Sequence, residues 1–211
     1  DSFKAVSKYF DRITRPVQIL SSLPQAVQLM LDQADCGPAT ISISQDVQGE
    51  AFDYPEVFFK EQVHEIRRVH PDQNQIVKVV EVIKKSKQPI IISGGGVLYS
   101  EAEKELSAFA KKHNIPVTAT AMGIGCMDRD DPYNIGPIGG LGVGSANNLS
   151  KDTDLVISVG TKLSDFTTGS WSNFHNPDFK LVSLNTARFD VTKHRATPLV
   201  SDAKIGLNEI S

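Results

Sequence analysis

Cysteine is scarce: Cys36 and Cys126 are the only two among 211 residues. Two thiols do not make a disulfide framework, so buried or half-buried free thiols and a cytoplasmic setting are expected. Aromatic residues make up 7% of the chain, with a single tryptophan, Trp171. Long apolar runs are missing too. Ile90–Ile92 is bounded by Pro89 and Ser93, and nothing approaches the ~20 apolar residues of a membrane-spanning helix. Neither sign of charge dominates, with 22 basic and 25 acidic residues and a net charge of −3. The basic residues are scattered, which leaves no electrostatic case for a nucleic-acid or membrane partner.

Several catalytic signatures are also missing. Gly94 and Gly96 begin a G-x-G pattern, but position 99 is Tyr99, so the dinucleotide fingerprint is incomplete. No phosphate-binding G-x-x-x-x-G-K-[ST] loop and no G-x-S-x-G nucleophile elbow occurs. Among His64, His70, His113, His175 and His194 no pair lies at i, i+4, and Arg68 stands where a zinc-protease helix needs its second histidine. Asp128, Asp130 and Asp131 lack the spacing of a calcium loop and read as a solvated turn. No metal site is expected.

What is present divides into two unequal parts. Residues 1–58 hold a helix from Ser22 to about Ala34, with Leu23, Val27, Met30 and Ala34 on one face, then a strand at Ala39–Ser44. One helix and one strand bury too little to stand alone. Residues 59–71 form a connector. Residues 72–211 alternate strands and helices: a helix capped by Asp72, strands at Pro89–Ser93, Ile115–Ala119, Asp154–Val159, Lys180–Leu184 and Pro198–Val200, and a helix opened by a capping box at Ser100–Glu103. Strands without apolar–polar alternation, separated by helices, predict a doubly wound, Rossmann-like parallel sheet covered on both faces, preceded by a partial α/β segment. Ligands of such folds lie beyond the carboxyl ends of the strands.

Glycines mark that edge. Gly94, Gly95 and Gly96 follow the first strand; a second cluster, including Gly140 and Gly142, precedes the third; Gly160 and Thr161 follow the third strand, with Asp165 close behind. Glycine lets backbone approach a ligand closely, and it equally permits a tight turn. Trp171 and Phe174 either cover a ligand or pack, with packing favoured.

These residues resemble a known family. PIIISGGG, ATAMGIG with Met122 and Gly123, the loop at Gly140–Gly144, and GTKLSDFTTG are similar to the central domain of thiamine-diphosphate enzymes of the acetolactate-synthase type. SLPQAVQLMLDQADCGPATISISQDV is similar to the end of that family's pyrimidine-binding domain. QDVQGEAFDYP and GTKLSDFTTGSW resemble a branch that cleaves a carbon–carbon bond of a cyclic 1,2-diketone in myo-inositol catabolism. The resemblance implies a small-molecule cyclic diketone substrate, thiamine diphosphate and Mg²⁺ as cofactors of a larger homo-oligomer (dimer or tetramer), and FAD or ADP in the central domain of some members. The family's activating glutamate and its Gly-Asp-Gly motif have no counterpart here, so this chain is expected to be an inactive piece of a longer protein, beginning at Asp1 rather than Met. Flavin-binding members carry an acid after the fourth strand, where this sequence has Asn185. The alternatives are a carboligase or decarboxylase of the same family, a stand-alone adenine-nucleotide module, and a purely structural spacer.

Overall fold

The computed structural model describes residues 1–211, which divide into two compact units, Asp1–Arg67 and Arg68–Ser211. The first holds β1 (Tyr9–Ile13), α1 (Ile19–Met30), β2 (Ala39–Ile43) and α2 (Gln45–Gln48). β1 and β2 pair in parallel, Tyr9 opposite Ala39 and Ile13 opposite Ile43. The expected helix is present, but its cap position is Gln18, four residues before Ser22, and it ends at Met30 rather than near Ala34. Ser22 is not its cap: it lies buried inside α1, where its hydroxyl donates to the Asp11 carboxylate and to the Gln18 carbonyl. The chain is turned into the helix by Gln18, whose side-chain oxygen accepts from the backbone of Thr14 and Arg15. The buried face is accordingly Ser22 and Ala26, while Leu23 and Met30 are exposed.

The second unit runs α3 (Gln73–Lys85), β3 (Pro89–Ser93), α4 (Gly95–Tyr99), α5 (Glu103–His113), β4 (Val117–Ala119), β5 (Asn134–Pro137), α6 (Gly144–Ser150), β6 (Leu155–Val159), α7 (Asp165–Thr168), β7 (Lys180–Asn185), α8 (Arg188–Val191), β8 (Thr197–Val200) and α9 (Ala203–Glu209). Its six strands form one sheet in the order β5-β4-β3-β6-β7-β8, every pair parallel. The chain works outward from β3 in one direction and then from β6 in the other, so the crevice of a doubly wound sheet falls between β3 and β6.

Burial on both faces explains the unbroken apolar strands. Ile91, Leu155, Ile157 and Val182 pack with Leu106 and Phe109 of α5 and Val79 of α3. Ile90, Ile92, Val156 and Leu181 turn to the other face, against Ala146 and Leu163, with Trp171, Phe174 and Phe179 at its margin. Each fully buried Ile or Leu contributes about 1.5–3 kcal/mol relative to exposure.

One local reading changes. Ser100 opens no capping box: α5 begins after Ala102, and the Ser100 hydroxyl instead accepts from the backbone N–H of Ala203. Gln75, in the first turn of α3, likewise makes a long-range contact, its side-chain oxygen accepting from Val200 N–H. Both side chains are spent on long-range ties. Asp202 is another such tie. Fully buried, it caps α9 through the N–H groups of Lys204 and Ile205 and accepts from Arg68 at 2.9 Å. No helix is long and apolar enough to cross a membrane.

Asp154 joins β6 to the turn before β3. Burial alone would raise its pKa, but the Ser86 hydroxyl and the N–H groups of Lys87 and Gln88 outweigh this and hold it below the ordinary value. A carboxyl lowered in the folded state stabilises above its unfolded pKa of about 3.9 and loses that contribution as pH falls through the folded value. Asp154→Asn is therefore expected to cost about 1–2 kcal/mol at pH 7. In urea unfolding, the gap to the parent chain should close below about pH 4; a gap that stays constant down to pH 2 contradicts the assignment.

Candidate functional site

Three strand ends build the crevice. β3 ends at Ser93, and the glycines after it do not form an open loop: Gly94 precedes α4, which begins at Gly95. β6 ends at Val159 and is followed by Gly160, at φ +62°. The two loops touch through backbone. Gly96 N–H donates to the Gly160 carbonyl and Gly94 N–H to that of Val159, each at 2.9 Å. A Cβ on Gly96 would lie 2.6 Å from Gly160 Cα, and one on Gly94 would lie 2.5 Å from the Gly160 oxygen. From the third strand end, β4, Gly123 completes the contact; a Cβ there would fall 2.2 Å from the Ser93 oxygen. These approaches are possible only for glycine.

Behind this junction Cys126 is fully buried, its thiol donating to the Gly94 carbonyl at 3.3 Å. Burial, helped by the Glu103 charge and opposed by hydrogen bonds from Ser93 and Leu98, pushes its pKa up to about 11. The thiol is protonated and closed off, without nucleophile character. Cys36, by contrast, is exposed, not half-buried.

In front of the junction is a cavity of about 540 Å³ over the carboxyl edge. It brings together Gly95, Gly96, Met122, Gly160, Thr161 and Asn185. Gly94 and Gly123 lie behind it in the backbone contact. Gly140 and Gly142 shape the neighbouring turn: Gly140 N–H donates to the Phe166 carbonyl at 2.8 Å, and a Cβ on Gly142 would meet Ile138 at 2.6 Å. Asp165 is exposed at the start of α7 and outside the lining.

Sequence reasoning passed over Tyr99, Ile124, Leu141, Lys162, Phe166 and Thr186, which also line the cavity. The available signal was large apolar residues lodged in glycine loops, where polar residues are usual. Lys162 is the single charged side chain of the lining, and no carboxylate is among it. Its ammonium stands 3.9 Å from Asp190, which holds Lys193 more closely, at 2.6 Å. Asn185 is anchored on both sides: its amide donates to the Thr161 carbonyl at 3.3 Å, and its oxygen accepts from Ala187 N–H at 3.1 Å.

Elsewhere, side chains singled out by sequence are structural. Trp171 packs among Phe174, Phe179 and His194 at centroid distances of 5.7, 6.1 and 4.6 Å. Asp131 accepts from Tyr133 N–H at 3.0 Å and the Ser107 hydroxyl at 2.9 Å, and lies 3.2 Å from Lys111; these contacts hold its pKa low.

Residues 76–210 match the family model described as the thiamine pyrophosphate enzyme central domain. The chain is similar to 3D-(3,5/4)-trihydroxycyclohexane-1,2-dione hydrolases. It is 45% identical to that of Clostridium tetani over 211 residues, covering 100% of this chain and 33% of the relative. It is 47% identical to that of Clostridium botulinum over 204 residues, covering 97% and 32%. The chain thus spans about a third of the length of the curated relatives it matches. Among solved structures, benzoylformate decarboxylase from Polynucleobacter necessarius superposes with a TM-score of 0.75 at 21% identity, covering 98% of this chain and 38% of that one, a likeness of fold.

If the glycine junction builds the crevice, substitutions there cost stability before any ligand is considered. Gly96→Ala is expected to destabilise by about 2 kcal/mol or more through overpacking. Gly144→Ala, where a Cβ meets nothing within 4 Å, should be neutral or stabilising by about 0.4–1 kcal/mol. Urea unfolding of both variants checks this; a neutral Gly96→Ala contradicts it.

Proposed function

Because this chain belongs to the thiamine pyrophosphate enzyme central-domain family, we propose that it forms the central part of a larger hydrolase. That enzyme cleaves a carbon–carbon bond of 3D-(3,5/4)-trihydroxycyclohexane-1,2-dione in myo-inositol catabolism. The observation that carries the reading is 45% identity spread over all 211 residues to a relative of that name. The likeness to benzoylformate decarboxylase, at 21% identity, does not favour a decarboxylase.

In this reading residues 1–58 are the C-terminal part of a pyrimidine-binding domain, 59–71 a linker, and 72–211 the central domain. The two parallel strands and short helices of the first part are too few to bury a core of their own, which supports their belonging to a larger sheet. A cytoplasmic homo-oligomer, dimer or tetramer, is part of the same proposal.

Thiamine diphosphate with Mg²⁺ does not fit the cavity over the sheet edge. No lining side chain is a carboxylate, so a divalent ion finds no hard anionic ligand there. Nor does the chain gather three or more His, Cys, Asp or Glu side chains into a metal-sized group. No chemical step is therefore assigned to these residues; their role is to hold other parts in place. For FAD or ADP the cavity offers a neutral amide, Asn185, where a carboxylate would read the ribose, and that amide is already bonded to Thr161 and Ala187.

The test is a chimera. This chain replaces the matching residues of the Clostridium tetani relative, and hydrolysis of the dione is followed with thiamine diphosphate and Mg²⁺ present. Activity within about tenfold of the parent is expected, a change of under ~1.4 kcal/mol in the barrier. A folded, cofactor-loaded chimera that no longer opens the dione contradicts the proposal. The 211-residue chain by itself should show no turnover, and ring opening by it would overturn the assignment of the machinery to other parts.

A further inference from the structure

The cavity over the sheet edge is divided by the strand order into two chemically different halves. On the β4 and β5 side stand Met122, Ile124, Ile138 and Leu141. Phe166 belongs with them although it follows β6, because its carbonyl accepts from Gly140 N–H in the loop after β5. Met122, Ile124, Leu141 and Phe166 are 70, 64, 77 and 78% exposed. Four large apolar side chains left uncovered around one opening mark a surface built to be covered. On the β6 and β7 side stand the Thr161 and Thr186 hydroxyls, Asn185 and the Lys162 ammonium.

The polar half selects against nucleotides. A ribose diol in a doubly wound fold is read by an acceptor at the end of a strand next to the crevice. Asn185, a neutral amide rather than a carboxylate, occupies that place at the end of β7, and its oxygen already accepts from Ala187 N–H. A pyrophosphate carries two or more negative charges, against which the lining sets one cation. What remains is one ammonium, paired only at 3.9 Å with Asp190 outside the lining, facing a broad apolar wall.

We propose that this cavity binds a small apolar monoanion: a carboxylate whose head meets Lys162 and the neighbouring hydroxyls while an aryl or aliphatic body covers the β4–β5 wall. Lys162 is the specificity residue for the charge, and Leu141 and Phe166 supply the apolar grip. Its ion pair with Asp190 is long, 3.9 Å, and Asp190 holds Lys193 more closely, at 2.6 Å, so an exposed lysine gives up little by turning inward. The site is separate from the thiamine-dependent reading, and neither depends on the other.

Isothermal titration of the 211-residue chain with 2-naphthoate, 2-naphthylmethanol and ADP tests this. Saturable 1:1 binding of 2-naphthoate is expected, weakened about tenfold by Lys162→Met. The neutral alcohol should bind the parent chain and Lys162→Met equally. Leu141→Ser should weaken both naphthyl compounds. Because both positions are solvent-facing, unchanged unfolding midpoints are expected and verify that the variants fold. ADP at millimolar concentration should neither bind nor displace 2-naphthoate. The proposal is overturned by absence of saturable naphthoate binding, by equal naphthoate affinity in Lys162→Met, or by displacement of naphthoate by ADP.

Discussion

The architecture of the larger unit depends on one contact, the meeting of Gly94 and Gly96 with Gly160 at the point where the strand order reverses. Two parallel strands can sit side by side in a sheet while the loops leaving them diverge. Here they do not diverge: α4 starts immediately after β3, and its first turn lies on the loop after β6, backbone against backbone. Side chains would hold these loops apart by the length of a Cβ contact. Three glycines remove that separation, and Gly123 brings the β4 loop into the same junction. The cavity is what this junction leaves in front of it.

That origin changes how the glycines bear on function. A glycine run after the first strand of a doubly wound sheet invites a phosphate-binding reading, because bare backbone can approach a ligand. In this chain the bare backbone approaches other backbone. The positions that touch the cavity are then distinguished by their neighbours rather than by glycine itself: Lys162 after Thr161, Phe166 after Asp165, Leu141 between Gly140 and Gly142. On the proposed reading the larger unit is a frame that carries a chemically divided pocket, with the catalytic equipment in other parts of the enzyme.

Much of the frame was legible in the sequence because burial on both faces writes itself as unbroken apolar runs. β3 and β6 are read directly from PIIIS and LVISV, and the inner face of α5 from Leu106, Phe109 and Ala110. The elements that escaped are those whose stability comes from elsewhere. β5, Asn134–Pro137, is an edge strand with a glycine and a proline in four residues. β1 carries Asp11 and Arg12 in its middle, so no alternation announces it. α4 opens on two glycines and spans five residues, where propensity argues for a loop and packing wins. Capping patterns misled at Ser22, whose hydroxyl reaches Asp11 and the Gln18 carbonyl one turn back, and at Ser100, whose hydroxyl accepts from Ala203 N–H across the fold. The pocket's apolar wall was invisible as a group, since it is assembled by strand order from residues scattered over positions 99–166.

The central claim is that these 211 residues carry the frame and not the thiamine-diphosphate machinery. Native mass spectrometry of the chain with thiamine diphosphate and Mg²⁺ in excess tests it most directly. The account predicts the mass of the bare polypeptide at every cofactor concentration; a stoichiometric thiamine diphosphate–Mg²⁺ adduct that survives dilution would contradict it.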